Sequence, residues 1–564
     1  MKKLTLLAAL FMLFQMAFAG GLLTNTNQSA QFIRMMSRNA SLDIDAVYFN
    51  PAGLTSMEDG WHFAIHNQSI YQTKTVDSKF PFLNDGKYEG IVEAPLFPTA
   101  FAVYKKDKWA FSLGFGPNGG GGSADFDRGL PSFEIPISKV VPALAGLTQI
   151  NPEYNVTGYD ADLYFSGSSI FWGIQLGATY KVSDAFSVYG GVRYMPAKNT
   201  YVGTISNIQL EVNGQMQGAQ DWMNSTAGVL YGQSAYYSGL AQDASDAADF
   251  AREAATVMDG VINQGGGTFT LEQLVGAGFI TAADKAQAEY GLQLVGYEQS
   301  AIDVMDINTM KVVYTAAGDE FEAGAAAATS GSILLAGTAT GLEDNASELG
   351  DREVDTEQTG AGFTPIIGFN ISPNEDWNIG IKYEHKTTLT LTNSTRVDDL
   401  GLFPDGAEAG SDVPGFLSAG VGYKGLDWLE AQLSYNMYFN KGVDWGGNVR
   451  DYSSREIDKN GYGIGLGLQF NLSDNFAFSV GGLYGDQGVA DSYQSDFSYS
   501  NANFTPGAGI MWKITDALTF DAGVSNTFYI DSEVTFNDPD VGSYNEIFGK
   551  STITFAAGLS YSIF

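Results

Sequence analysis

The sequence predicts an all-β transmembrane barrel of 14 antiparallel strands. Three observations carry that expectation. Apolar residues alternate with small or polar ones at a period of two, aromatic residues gather near the ends of the alternating runs, and six short polar connections resemble one another. Composition agrees, with 68 Gly, 29 Tyr and 37 Phe in 564 residues and only 16% charged side chains. That mix suits one large β architecture rather than the several domains that length alone would suggest.

Ahead of the barrel, residues 1–19 read as a secretory signal. Lys2 and Lys3 give the positive end, "LTLLAALFMLF" the apolar middle, and Ala17-Phe18-Ala19 a small-x-small cleavage site. The apolar run is too short for a membrane helix, so the mature chain is expected to begin near Gly20. With 0 Cys there is neither a lipid-anchored amino terminus nor a disulfide framework. An exported chain of this kind rests on its hydrogen-bond ladder and its packing.

The strands show the period directly. In "LEAQLSYNM", Leu429, Ala431, Leu433, Tyr435 and Met437 share one face, and Glu430, Gln432, Ser434 and Asn436 the other. "YGIGLGLQF" sets Tyr462, Ile464, Leu466, Leu468 and Phe470 against three glycines and Gln469, and "LTFDAGVS" alternates in the same way. A water-soluble sandwich would alternate too. The aromatic strand ends and the Gly- and Ser-rich second face point instead to a lipid-facing girdle around a hydrated or plugged lumen. The expected location is the outer membrane of a Gram-negative bacterium, with lipid as the surrounding partner.

Strand number comes from the turns "YKKDKW" (104–109), "YKVSDAF" (180–186), "NISPNEDW" (370–377), "YKGLDW" (423–428), "FNLSDNF" (470–476) and "WKITDAL" (512–518). Six periplasmic turns join twelve strands in pairs, and one strand at each end makes 14, with seven outer loops. The first starts near Trp61 and the last, "TITFAAGLSYSIF", stops on Phe564. A terminal aromatic resembles the signal read by barrel-assembly machinery, an expected partner during biogenesis, although Phe564 is out of phase with the apolar face.

The segment ending in "FNPAGL", followed by "PTAFAVYKKDKWAFSLGFGPNGGGGSADF" and the 14 strands, resembles the FadL-type family of outer-membrane long-chain fatty acid transporters. The resemblance covers nearly the whole mature chain. It implies a hatch at residues 20–58 inside a barrel at residues 59–564, with Asn50, Pro51, Ala52 and Gly53 at the hatch core. The residue types suit that role. Pro51 fixes its φ and biases Asn50 towards an extended conformation, Asn50 offers amide donors and an acceptor, and Ala52 and Gly53 allow close approach. The plainer reading is an ordinary Asn-Pro turn before a strand.

The third strand begins cleanly and then meets Gly114, Gly116, Pro117 and Gly119, with a glycine run to Gly122. Either the strand ends there in a flexible loop, or, on the resemblance, it kinks and opens a side window through which apolar cargo leaves into the bilayer. The third outer loop, roughly 205–358, is very long and partly helical. In "SDAADFAREAATVMDGVI", Ala247, Phe250, Ala254, Val257 and Val261 form one helix face, and "TLEQLVGAGFITAADKAQAEYGLQLV" opens with a helix-start signature. "AGAAAATSGSILLAGTATGL", residues 323–342, reads as a small-residue loop or packed helix. The resemblance makes this loop a lid that captures greasy ligands. It also makes Arg193 and Lys198, near the outer end of the fifth strand, the candidates for a fatty carboxylate.

Several classes are disfavoured. A net charge of −35 is wrong for nucleic acid. Acidic stretches such as "GLEDNASELGDREVDTEQ" lack calcium-loop spacing, and no cofactor fingerprint or metal constellation is present. His62 and His66 share a strand face but have no third ligand or nucleophile, and His385 stands apart, so no enzyme and no cofactor is expected. The expected function is passive transport of a long-chain fatty acid or another apolar small molecule by a monomer. The alternatives are a diffusion porin, or an adhesin using the long loop.

Overall fold

The computed structural model describes residues 24–443, 457 and 459–564. The expected signal, 1–19, and the start of the expected hatch lie outside the described residues. The remainder forms two units, a helical one at Gln217–Gly350 and a barrel built from the rest.

The barrel has 14 antiparallel strands. They are β1 Gly60–Ser78, β2 Lys87–Lys106, β3 Trp109–Phe126, β4 Val156–Ser183, β5 Phe186–Val212 and β6 Arg352–Ile371. Next come two interrupted strands, β7 (Trp377–Glu384 and Thr390–Asp398) and β8 (Glu408–Gly410 and Gly415–Leu426). The wall continues through β9 Leu429–Phe439, β10 Gly461–Ser473, β11 Phe476–Asp486 and β12 Asn503–Lys513. It ends with the interrupted β13 (Leu518–Tyr529 and Ser532–Asp538) and β14 Gly542–Ile563. β14 pairs with β1 from Trp61 against Ile563 to Ser78 against Glu546, so the ring closes without a free edge at this seam.

All six expected short turns fall between strand pairs, from β2–β3 to β12–β13. Aromatic pairs mark this end: Trp109 with Tyr180 at 4.6 Å, Trp377 with Tyr423 at 4.7 Å and Trp61 with Tyr104 at 4.8 Å. The alternation keeps the expected phase. Ile553, Phe555, Leu559 and Tyr561 are 39–49% exposed, while Thr552, Thr554 and Ala556 between them are buried. A sandwich would bury that apolar row; here it faces outward, as a lipid-facing wall requires. Trp61 and Tyr71 both point outward on β1. At ~3.3 Å per residue and a tilt of ~45°, their separation spans about 23 Å, the height of an outer-membrane apolar band.

The wall is uneven. β4 has 28 residues and β5 has 27, whereas β9, β11 and β12 have 11 each. The third outer loop is therefore shorter than the expected 205–358. β5 continues to Val212, β6 starts at Arg352, and Ile205 pairs with Arg352. Beyond the membrane a strand needs no apolar outer row, so the period that marks it in the sequence fades.

In the helical unit, Ala219–Val261 and Ile307–Glu348 run antiparallel, with Ser234 Oγ donating to the Ser332 carbonyl at 2.9 Å. Residues 323–342 are thus helical, within a helix long and apolar enough by composition to cross a membrane. Thr270 caps Leu271–Gly276 through a reciprocal bond with Gln273, as the helix-start signature predicts. In this part of the first long helix Ala248, Ala251, Ala255, Met258 and Val261 are buried, with Phe250 and Ala254 packed beside them, so the expected face is turned by part of a step and only Val257, 58% exposed, points away. The alanines permit the close approach to the second helix that larger side chains would prevent.

Candidate functional site

The amino-terminal segment is bonded to strands on every side of the ring, which places it inside. Gln31 Nε2 donates to Asp521 on β13, Asn39 Nδ2 to Asn436 on β9, and Asn27 Nδ2 to Gln68 on β1, all within 2.9 Å. In the other direction Thr179 on β4 and Asn378 on β7 donate to the carbonyls of Pro51 and Ala40. The glycine face of the wall receives the segment's backbone. A Cβ at Gly467 or Gly481 would collide with the Met35 carbonyl oxygen, so only glycine admits this contact.

The Asn-Pro-Ala-Gly turn is a docking point. Asn50, 1% exposed, donates to Asn370 Oδ1 on β6 at 2.7 Å and to the Ser41 carbonyl at 3.0 Å. The Pro51 carbonyl accepts from Thr179 at 2.7 Å, and the Ala52 carbonyl accepts from Ser187. Gly53 stands where a Cβ would come within 2.9 Å of the Ser41 carbonyl oxygen. The run "AVYF" before it is a helical turn, Ala46–Phe49, buried throughout.

Two charge clusters that the sequence reading did not single out hold the segment. Arg34 Nε donates to Asp521 at 2.8 Å and its Nη1 to Gln469 at 2.6 Å, with both ions 2% exposed. Arg38 binds both oxygens of Asp45 at 2.8 Å. Burial alone would push the Asp45 carboxyl up, but Arg38 and the Ser41 and Ser29 hydroxyls hold it below the usual carboxylate range.

Arg193 and Lys198 are not brought together, and neither reaches an open outer mouth. Arg193 is 3% exposed and engages Glu384 with both terminal nitrogens; its Nη2 also donates to Gln175 at 2.7 Å. Lys382 donates to Glu384 at 2.7 Å and to the Tyr48 carbonyl at 2.6 Å. This cluster therefore seats the segment. Lys198 occupies the opposite phase of β5, points outward and pairs with Glu357. Of the histidines, His62 bonds Ser562 and the Glu58 carbonyl, and His66 packs on Phe101.

β3 does not end at its glycines. It continues to Phe126 and stays paired with β4, with bulges at Pro117–Gly119 and Gly120–Ser123. Its pairing with β2 is lost between Ala100–Phe115 and Val92–Ala124. Gly114 lies below the break, where a Cβ would press on Val47 at 3.0 Å, and Gly116 lies at its lower edge, against Gln28 and Thr99. Gly119 forms a bridge with Thr24. Asn25 and Gln28 donate to the carbonyls of Pro117, Asn118 and Gly120 at 2.6–2.8 Å. Carbonyls abandoned by β2 are thus satisfied by the inner segment, since an unpaired backbone group at membrane depth costs several kcal/mol. Gly120 has φ of 65°, and the Phe97 ring covers Gly121.

A cavity of about 500 Å³ adjoins this break. Phe97 and Gly120–Gly122 form one wall, and Phe32, Ile33 and Met36 of the inner segment form its floor. Tyr499, Lys74 and Lys550 also line it, Lys74 on the strand next to β2. The arrangement sets a cavity of mixed polar and apolar lining next to a gap in the β-ladder.

No curated protein matches the sequence. A family model described as TonB dependent receptor-like, beta-barrel matches residues 308–558. Among solved structures, a FadL homologue of Pseudomonas aeruginosa is 13% identical, with 96% of this chain and 99% of that one covered and a TM-score of 0.52. The toluene transporter TodX of P. putida is 11% identical over 92% and 94%, with a TM-score of 0.45. The toluene transporter TbuX of Ralstonia pickettii is 13% identical over 96% and 98%, with a TM-score of 0.42. With its closed 14-stranded ring and outward apolar girdle, the chain is an outer-membrane barrel of FadL-type fold.

Proposed function

We propose that this protein carries long-chain fatty acids or similar hydrophobic small molecules passively across the outer membrane, with residues 20–58 as the hatch. The cargo is taken up in the cavity above the hatch and released sideways between β2 and β3. One observation carries the reading: the residues flanking the broken ladder, Val92, Phe97 and Gly120–Gly122, also line the cavity. The fold shared with the FadL homologue agrees with it. Transfer of an alkyl chain from water to lipid is favourable by ~0.8 kcal/mol per CH₂, so sideways release needs no energy source.

The break can be locked. A Cβ on Gly122 would lie 3.5 Å from the Ala94 Cβ, within disulfide reach, and the chain has 0 Cys to interfere; Gly122 has φ of 142° and its Cβ would also lie 2.8 Å from Val92 Cγ1, so the bond forms against local strain. Oxidised Ala94→Cys/Gly122→Cys protein is expected to lose uptake of labelled fatty acid into cells, and reductant to restore it. Unchanged uptake by the oxidised form would refute sideways release. A porin would instead pass ions steadily in a planar bilayer, whereas the hatched barrel is expected to show little conductance.

A further inference from the structure

Lys74 on β1 and Lys550 on β14 are paired residues across the seam that closes the barrel. Both side chains point into the cavity. Like charges directly opposite on adjacent strands repel, so such a pair calls for a counter-charge. Among the described residues neither lysine has a carboxylate within ion-pair distance, although this is an acidic protein of net charge −35. The other inward cations discussed above, Arg34, Arg38, Arg193 and Lys382, are all ion-paired.

The surroundings hold both ammonium groups in place. Tyr499 donates its hydroxyl to the Gly549 carbonyl at 2.9 Å, which fixes the ring beside the seam. Lys550 Nζ lies 4.4 Å and Lys74 Nζ 5.3 Å from the ring centroid, and Lys550 spends one donor on the Tyr499 carbonyl at 2.7 Å. An ammonium carries three donors, so the pair keeps several for a ligand. One step down the strands, Gln72 donates to Thr552 at 2.8 Å, and Tyr529 shares the same hydroxyl. The cavity also has apolar wall, supplied by Phe97, Phe126, Phe165 and Leu483 among its amides and hydroxyls.

We propose that Lys74 and Lys550 clamp the anionic head group of an amphiphile, a carboxylate in the simplest case, while its hydrocarbon tail lies along the apolar wall towards the β2–β3 break. The inference rests on the transport reading above and adds a specificity to it: the cavity prefers a charged head to a neutral one. The anion neutralises two like charges at once, and the ring of Tyr499 keeps them close without supplying that charge.

The test uses the full-length protein in detergent and compares oleate with oleyl alcohol by equilibrium binding, alongside uptake of both into cells. Wild type is expected to bind oleate at least tenfold more tightly than the alcohol. Lys74→Gln/Lys550→Gln should erase that preference while still binding and admitting the alcohol. Lys74→Arg/Lys550→Arg should keep it, which separates charge from any folding defect. Equal binding of the two probes by wild type, or a preference surviving in the glutamine pair, overturns the head-group clamp. In either case continued uptake of the alcohol leaves the transport reading standing; loss of uptake of both probes in wild type would bring down both.

Discussion

The Arg34–Asp521 ion pair gives a quantitative handle on how firmly the inner segment is held. Arg34→Met removes the cation and leaves Asp521 buried, with only the Gln31 amide donating to it at 2.8 Å. Removing one partner of a buried pair costs ~3–5 kcal/mol. At tenfold per ~1.4 kcal/mol, the undocked fraction should rise by roughly two to three and a half powers of ten. Arg34→Met/Asp521→Leu removes both charges and should regain most of the loss, because no unpaired ion remains. The assay is the rate at which protease cleaves the amino-terminal segment of purified protein, with unheated SDS gel mobility as the control for an intact barrel. If Arg34→Met is digested no faster than wild type, or the double variant as fast as the single one, the pair is not what holds the segment.

Two further outcomes follow from the same segment. Asn50→Ala deletes the donors to Asn370 and Ser41 and should weaken docking by ~1–3 kcal/mol, read as faster proteolysis and altered uptake; wild-type values for both would remove Asn50 from the docking point. Asp45 is held below its ordinary value by Arg38, so its contribution is complete above the free value of ~3.9 and is lost as pH falls through the lower, docked value. Bilayer leak is therefore expected to stay flat from pH 8 to about 5 and to rise only below about 4. Asp45→Asn should leak at every pH, and a rise in wild-type leak between pH 7 and 5 would contradict this account.

Much of the barrel could be read from residues alone because lipid imposes a strict rule. Most outward side chains in the membrane band are apolar, and the polar exceptions Asn67 and Ser69 both bond the Pro95 carbonyl, so runs such as "TITFAAGLSYSIF" show their phase, and the short turns count the strands. The outer ends of β5 and β6, 205–212 and 352–358, lie beyond that band, obey no such rule and read as loop in the sequence. The glycines of β3 were ambiguous for a different reason. Glycine weakens a strand locally, but whether the chain leaves the sheet depends on who satisfies its carbonyls, and the donors Asn25 and Gln28 lie about ninety positions away. The same distance problem hid the ion pairs. Arg34 and Asp521 are separated by 487 positions, and an inward carboxylate in "LTFDAGVS" looks the same whether it meets water or a guanidinium. Position in the strand puts Arg193 near the outer mouth; its partner Glu384, at the interruption of β7, shows that it sits against the inner segment instead.

The height of β4 has an implication for how a greasy molecule first meets the cell. Its 28 residues rise ~65 Å at ~3.3 Å per residue and a tilt of ~45°, and only ~25 Å of that is needed for hydrocarbon. About 40 Å of the strand therefore stands outside the hydrocarbon. On the transport reading proposed above, the tall flank works as a jetty, a mooring for cargo well beyond the hydrocarbon.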